Sequence, residues 1–195
     1  MSSWLGSGPL VGDRVTLRPF TAADAPALAR VVGDPHEFRW SPGIPVDEES
    51  ARTFIATALA DPQRRTAFAV IDNTDGRLVG STSYYEIDEA NRAASIGYTF
   101  YTESVHGTTI NPTAKYLLMR HAFEDCGAVR LVWHTHEENA RSRAAIGKLG
   151  ASFEGLLRNH RRFGDGWRTT AQYAMTDDDW PDAKERLRQR MSLSN

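Results

Sequence analysis

With 195 residues, 41% of them hydrophobic and 25% charged, the chain can build one domain with a sizeable core, and it is neither polar enough to be disordered nor apolar enough to be membrane-embedded. A formal net charge of -2 argues against bulk binding to nucleic acid or to an anionic membrane surface. The single Cys126 excludes an internal disulfide, and Met1 to Gly6 has neither the basic segment nor the apolar run of a secretory signal, so a cytoplasmic location is expected.

Residues 1–12 hold three Gly and one Pro without periodicity and read as a flexible lead-in. Alternation predicts a strand over 14–20, ended by Pro19. Thr21 then caps a helix with Asp24 at its third position and Ala25, Leu28, Ala29 and Val32 inward. A Pro-rich loop over 34–45 carries Glu37, Phe38 and Trp40; the rings either build a binding site or pin the loop to the core. A helix over 47–60, a strand over 66–72, a turn at Asp75-Gly76, a strand over 77–87, a second turn and a strand over 93–101 follow.

His106-Gly107-Thr108-Thr109-Ile110-Asn111-Pro112-Thr113-Ala114-Lys115 is the stretch around which the rest is organised. Asn111 can cap, Pro112 suits the first helical position, and Ala114, Leu117, Leu118, His121 and Ala122 recur at helical spacing up to Gly127. A helix N-terminus of this kind attracts anions, because its first N–H groups lack intrahelical partners and the macrodipole adds roughly half a positive charge. Cys126, just before Gly127, reads as a small buried hydrophobe. A strand over 130–136, a helix capped by Asn139 and ended by Gly150, two strands over 152–163 and 167–176, and a thin amphipathic helix over 177–191 complete an α/β chain. His134 and His136 share a strand face, but no third ligand follows at a recognisable spacing, so no metal is expected.

Ser95-Ile96-Gly97-Tyr98, His106 to Lys115, the run from Asn139 to Ala151, Glu154-Gly155-Leu156-Leu157-Arg158, Asp165-Gly166 and Tyr173 together resemble the GCN5-related N-acetyltransferase (GNAT) family, in particular its Rim-type ribosomal-protein N-terminal acetyltransferases. The resemblance spans about residues 13–180 and departs in the loop, where Gly107 is followed by Thr108-Thr109-Ile110-Asn111-Pro112 rather than by further small residues. It implies a single α/β domain over 13–177 followed by a C-terminal helix or tail over 178–195. The implied sheet is mixed, mostly antiparallel, twisted and splayed where acyl-CoA enters. The implied reaction moves an acetyl group from acetyl-CoA to a primary amine, a protein N-terminus being one candidate. Another acyl group, a small-molecule amine or a non-catalytic acyl-CoA-binding module are the alternatives.

Mapped onto the residues, the pyrophosphate would rest on Gly107, Thr108, Thr109 and Asn111 with Lys115 as a point charge. Pantetheine would pair with Thr99, Phe100 and Tyr101, with Asn139 supplying an amide from the facing helix; Arg141 and Arg143 do not share a face, and Arg143 is the candidate for the 3′-phosphate region, solvent exposure being the alternative for either. The position at which many family members carry a Tyr is Ile146, so Ser142 is the candidate proton donor to the thiolate. An α-amine is about a tenth neutral at pH 7, a penalty of roughly 1 kcal/mol, against roughly 4.6 kcal/mol for a lysine. Little help is therefore needed for an N-terminus, and Glu86 is the first candidate base. The acceptor would lie among Glu37, Phe38, Trp40, His160 and Trp167; strand alternation puts His160 on the opposite face from Arg161. The stripe of Ala183, Leu187 and Met191 makes a homodimer a candidate, with docking onto the chain's own domain as the competing account.

Overall fold

The computed structural model describes residues 4–6, 8–34, 38–41 and 43–192. Eight strands form one sheet: β1 (Leu10–Val11), β2 (Val15–Pro19), β3 (Arg65–Asp72), β4 (Arg77–Asp88), β5 (Ala93–Tyr101), β6 (Arg130–His136), β7 (Ser152–Phe163) and β8 (Gly166–Thr176). Their spatial order is β1-β2-β3-β4-β5-β6-β8-β7, with β5 and β6 parallel and every other pair antiparallel. The helices are α1 (Ala25–Ala29), α2 (Glu48–Ala60), α3 (Ile110–Arg120), α4 (Ala140–Gly147) and α5 (Trp180–Ser192).

Alternation along the strands splits the core into two layers. Phe68 and Val70 point with Val15, Leu17, Ile96 and Leu131 toward α3, α4 and α5, whereas Ala67 and Ala69 join Phe100 beneath α1 and α2. Ala183 and Leu187 of α5 are fully buried in the first layer, and Thr113 of α3 donates to the Met191 sulfur at 3.4 Å. The apolar stripe that suggested a dimer is thus covered by the chain itself.

Two of the sheet's register irregularities bear on the cleft. Between Ser81↔Phe100 and Ser83↔Gly97, β5 carries one residue more than β4, and Tyr98 there adopts φ +50°. Such a bulge bends and re-aims its strand. A Cβ on Gly97 would lie 2.7 Å from the Tyr85 ring, so only glycine lets that ring cross the bulge. The second irregularity is in β7: between Leu157↔Thr170 and Arg161↔Arg168 it advances four residues while β8 advances two, with Asn159 at φ +50°.

The first turn after β2 forms as expected. Asp24 accepts from the Thr21 amide at 2.7 Å and pairs with Arg18. The segment begins as a short 3-10 turn and α1 is brief. The start of α3 differs from the sequence expectation: Thr109 takes the cap position, Asn111 is the second helical residue and Pro112 the third. The Thr108 hydroxyl bridges the turn, donating to the Val105 carbonyl at 2.7 Å and accepting from the Ile110 amide at 3.3 Å. A side chain one residue before the cap satisfies the helix end, which frees Asn111 to turn inward. Cys126 is half-buried, and burial pushes its thiol pKa up.

Candidate active site

The parallel pair β5–β6 is joined at only three positions, Ala93↔Arg130, Ala94↔Leu131 and Ser95↔Val132. Beyond them the bulge carries β5 away from β6, so the strands fork and their facing backbones lose each other as partners. A cleft of about 420 Å³ occupies this fork. Its walls are Ile96 to Tyr101 of β5, Trp133 to Thr135 of β6, His106, Asn111 and Lys115 around α3, and Asn139, Ser142, Ala145, Ile146 and Leu149 in and beside α4. The mouth is framed by Phe38 and Trp40 from the α1–α2 loop and by Tyr85, Arg161, Arg162 and Arg168.

α4 enters the site through its cap. The Asn139 side chain accepts from the Ser142 amide at 3.0 Å, which fixes the first turn and sets Ser142, Ala145, Ile146 and Leu149 as one stripe along the cleft. Among the described residues the Ser142 hydroxyl has no protein partner. Asn139→Ala is expected to cost about 1 kcal/mol in denaturant unfolding. Activity should fall with it, because the turn carrying Ser142 loosens; an unchanged unfolding midpoint would contradict the capping role.

Polar atoms along the floor are buried and unanswered. Among the described residues, the Tyr101 hydroxyl, Asn111 Oδ1 and Trp133 Nε1 have no hydrogen-bond partner. Burial lifts the Tyr101 hydroxyl far above the usual phenol value. Lys115 is 5% exposed, its Nζ donates to Thr82 Oγ1 at 2.9 Å and Thr99 Oγ1 at 2.5 Å, and desolvation pulls its pKa down to about 7. Among the described residues no carboxylate pairs with it.

At the mouth, Trp40 stacks on Phe163 with ring centroids 6.1 Å apart and lies 4.2 Å from the His136 ring. Phe38 meets Phe100 edge-on at 6.3 Å. The two loop aromatics therefore both pin the loop and line the cleft. His134 accepts or donates at Nδ1 to Tyr85 Oη, 3.0 Å away, and at Nε2 to Gln172 Oε1, 3.0 Å away; burial lowers its pKa. Neutral at pH 7, it leaves Nε2–H for the Gln172 carbonyl and Nδ1 as acceptor for the Tyr85 hydroxyl.

Of the sequence-predicted residues, Phe38, Trp40, Thr99, Phe100, Tyr101, Asn111, Lys115, Asn139 and Ser142 come together in the cleft. Gly107, Thr108 and Thr109 form the turn before α3 and lie outside its lining. Arg143 spends its guanidinium on the Tyr173 hydroxyl at 3.1 Å and the Glu137 carbonyl at 3.0 Å; its neighbour Arg141 lines the cleft instead. Glu86, at φ +50°, pairs with Arg161 and accepts from Ser95 Oγ at 2.9 Å, just beyond the mouth. Trp167 is 57% exposed and carries the Arg162 guanidinium over its ring. Glu37 lies outside the described residues.

Simple alternation fails at His160. The extra residues in β7 turn its ring onto His134, with centroids 5.1 Å apart, while Arg161 still reaches Glu86. His160 Nδ1 is buried without a partner among the described residues, and burial and the nearby Arg161 lower its pKa. Tyr85, Trp133 and Arg168 were missed from sequence. The ring of Tyr85 had one visible signal, the glycine at 97 across the strand pair; the others depend on where β6 and the β7–β8 hairpin arrive in space.

No helix among the described residues is long and apolar enough to cross a membrane. The acetyltransferase (GNAT) domain family matches residues 14–152. The chain is 27% identical over 157 residues to Bacillus subtilis YdaF, provisionally named a ribosomal N-acetyltransferase, covering 76% of this chain and 84% of that one. The crystal structure of a GCN5-related N-acetyltransferase from Brucella melitensis superposes with a TM-score of 0.89 at 25% identity, covering 97% of this chain and 90% of that one. Mycobacterium smegmatis RimJ, solved in complex with CoA-disulfide, gives a TM-score of 0.79 at 25% identity over 94% and 97% of the two chains. The forked sheet, the cleft in its fork and these matches agree, and the chain belongs to the GNAT acetyltransferase family.

Proposed function

We propose that this enzyme moves an acetyl group from acetyl-CoA to a primary amine, with a protein N-terminus as the first candidate acceptor, and that the β5–β6 fork holds the donor. The carrying observation is the floor of the fork: Tyr101 Oη, Asn111 Oδ1 and Trp133 Nε1 are buried without partners among the described residues, and all belong to residues lining one cleft. Buried polar groups are almost always hydrogen-bonded, so a ligand rich in amide and hydroxyl groups fits this floor. Pantetheine is such a ligand, and the unpaired edge of β5 from Thr99 to Tyr101 supports strand-like pairing with it. At the front of α3 the Thr108 amide and hydroxyl are spent on Val105 and the Ile110 amide on Thr108. The amides of Gly107, Thr109 and Asn111 are then the donors this end has for a pyrophosphate. Arg141 replaces Arg143 as the cation beside it.

Acetyl-CoA supplies the activated thioester. The chain supplies orientation in the fork and, from Ser142 on the first turn of α4, a proton for the departing sulfur. Glu86 holds Arg161 at the mouth and, half-exposed, takes the acceptor's proton through solvent. Acceptor contacts come from Phe38, Trp40 and the strand carrying His160.

Thermal unfolding with acetyl-CoA tests the donor: at a hundredfold excess over Kd, binding adds about 2.7 kcal/mol, or roughly 5–10 °C for a chain of this size. Thiol release over peptides and amines tests transfer. No stabilisation by any acyl-CoA overturns the reading; stabilisation without turnover of any amine reduces it to a binding module. Faster use of a longer or acidic acyl-CoA reassigns the donor.

A further inference from the structure

The β7–β8 hairpin sets two guanidinium groups where sheet energetics opposes them. Arg161 and Arg168 are directly opposite in antiparallel register, a relation in which like charges repel. Arg161 is answered by Glu86. Arg168 is not: its Nε donates to Thr170 Oγ1 at 3.1 Å, and among the described residues no carboxylate pairs with it. It is half-buried, and burial together with Arg161 pulls its pKa below the ordinary guanidinium value. Arg162 stands beside them over Trp167.

The charge of the cleft has one sign. Lys115, Arg141, Arg161, Arg162 and Arg168 line it, and no Asp or Glu does among the described residues. Lys115 and Arg141 belong to the α3–α4 side, where the donor's phosphates supply compensating charge. The hairpin arginines lie at the other end, with Tyr85 and His134. Glu86, just beyond the mouth, is already paired with Arg161, so a bare ammonium arriving there meets a surplus of positive charge. An amine that brings its own anion is attracted, and the guanidinium fork suits a carboxylate or phosphate in bidentate geometry.

We propose that Arg168, supported by Arg161, binds an anionic group that the acceptor carries a few bonds from its amine. This rests on the transfer reading above. The anion is a carboxylate or phosphate, borne either by a small amino-acid-like amine or by an acidic residue next to a peptide N-terminus. The arrangement has a chemical consequence. Cations near the acceptor nitrogen favour its neutral, nucleophilic form, while the anion keeps the molecule bound.

The test uses acetyl-CoA and matched acceptors in two arms: peptides with Asp against Asn or Glu against Gln at the second position, and amino acids against their amides. In the arm that carries the substrate, the acidic member is expected to exceed its neutral twin about tenfold or more in kcat/KM. Arg168→Gln removes most of that ratio through the acceptor KM and leaves the acetyl-CoA KM unmoved; Arg168→Lys restores part of it. Because Arg168→Gln also relieves a like-charge pair, its thermal midpoint should equal or exceed that of the wild type, and a lower midpoint would mark the arginine as structural. Equal use of acidic and neutral acceptors by the wild type, or an unchanged ratio in Arg168→Gln, overturns this proposal alone. Stabilisation by acetyl-CoA with no amine turned over in either arm overturns the transfer reading and this one with it.

Discussion

Lys115→Met is expected to raise the thermal midpoint at pH 7 by roughly 5–10 °C while weakening acetyl-CoA binding about tenfold. The stability gain follows from the amine's setting: 5% exposed, held by two threonine hydroxyls and paired with no carboxylate among the described residues. Its pKa is down to about 7 from an ordinary value of 10.5. Burial favours the neutral form, so between about pH 7 and 10.5 the unfolded chain binds one proton more than the folded chain, and stability rises with pH across that window. Below about pH 7 the whole penalty is present, on the order of 5 kcal/mol. Methionine removes the charge and keeps a chain of similar length. Thr82 and Thr99 keep each other, their hydroxyls being 2.9 Å apart. Part of the penalty is returned through imperfect packing, hence an expected net gain of about 2–4 kcal/mol.

The measurement that isolates this effect is the midpoint difference between variant and wild type across pH. It should be largest at and below neutrality and shrink toward pH 10. A constant difference would mean that the gain comes from packing and that the amine is not forced toward neutrality.

Ser142→Ala is expected to lower kcat on the order of a hundredfold while changing the acetyl-CoA KM less than about threefold. Ser142 lines the cleft on the first turn of α4, its amide held by Asn139 and its hydroxyl without a protein partner among the described residues. Ile146, one turn further along the same stripe, is 7% exposed in the core and carries no proton to give. An equal loss in kcat and in donor affinity would assign Ser142 to the architecture of the turn. Unaltered turnover would move the proton donor elsewhere in the cleft.

The two faces of the site were unequally legible. The helix after Asn139 was readable because cap and stripe are local: the structure keeps Asn139 as the cap, but α4 already ends at Gly147 with Lys148 as its C-cap, and Gly150, at φ +95°, closes the turn that follows. The front of α3 was less so. Asn111 and Thr108 are both competent to satisfy a helix end, and Thr108 wins because its hydroxyl also finds the Val105 carbonyl. Arg141 and Arg143 could not be told apart from spacing alone; the Tyr173 hydroxyl, arriving from β8, claims Arg143. His160 departs from simple alternation because a period of two holds only while two strands advance in step, and β7 does not.

The sequence by itself determined the elements, the family resemblance, the cap of α4 and the residue types that meet at the fork, since each is written in neighbours a few positions apart. Only the tertiary structure decided the burial of Lys115, the unanswered polar atoms on the cleft floor and the opposition of Arg161 and Arg168. Those properties are set by distance and dielectric between segments far apart in the chain, Lys115 against Thr82 and Arg161 against Glu86, and local sequence pattern carries no term for either.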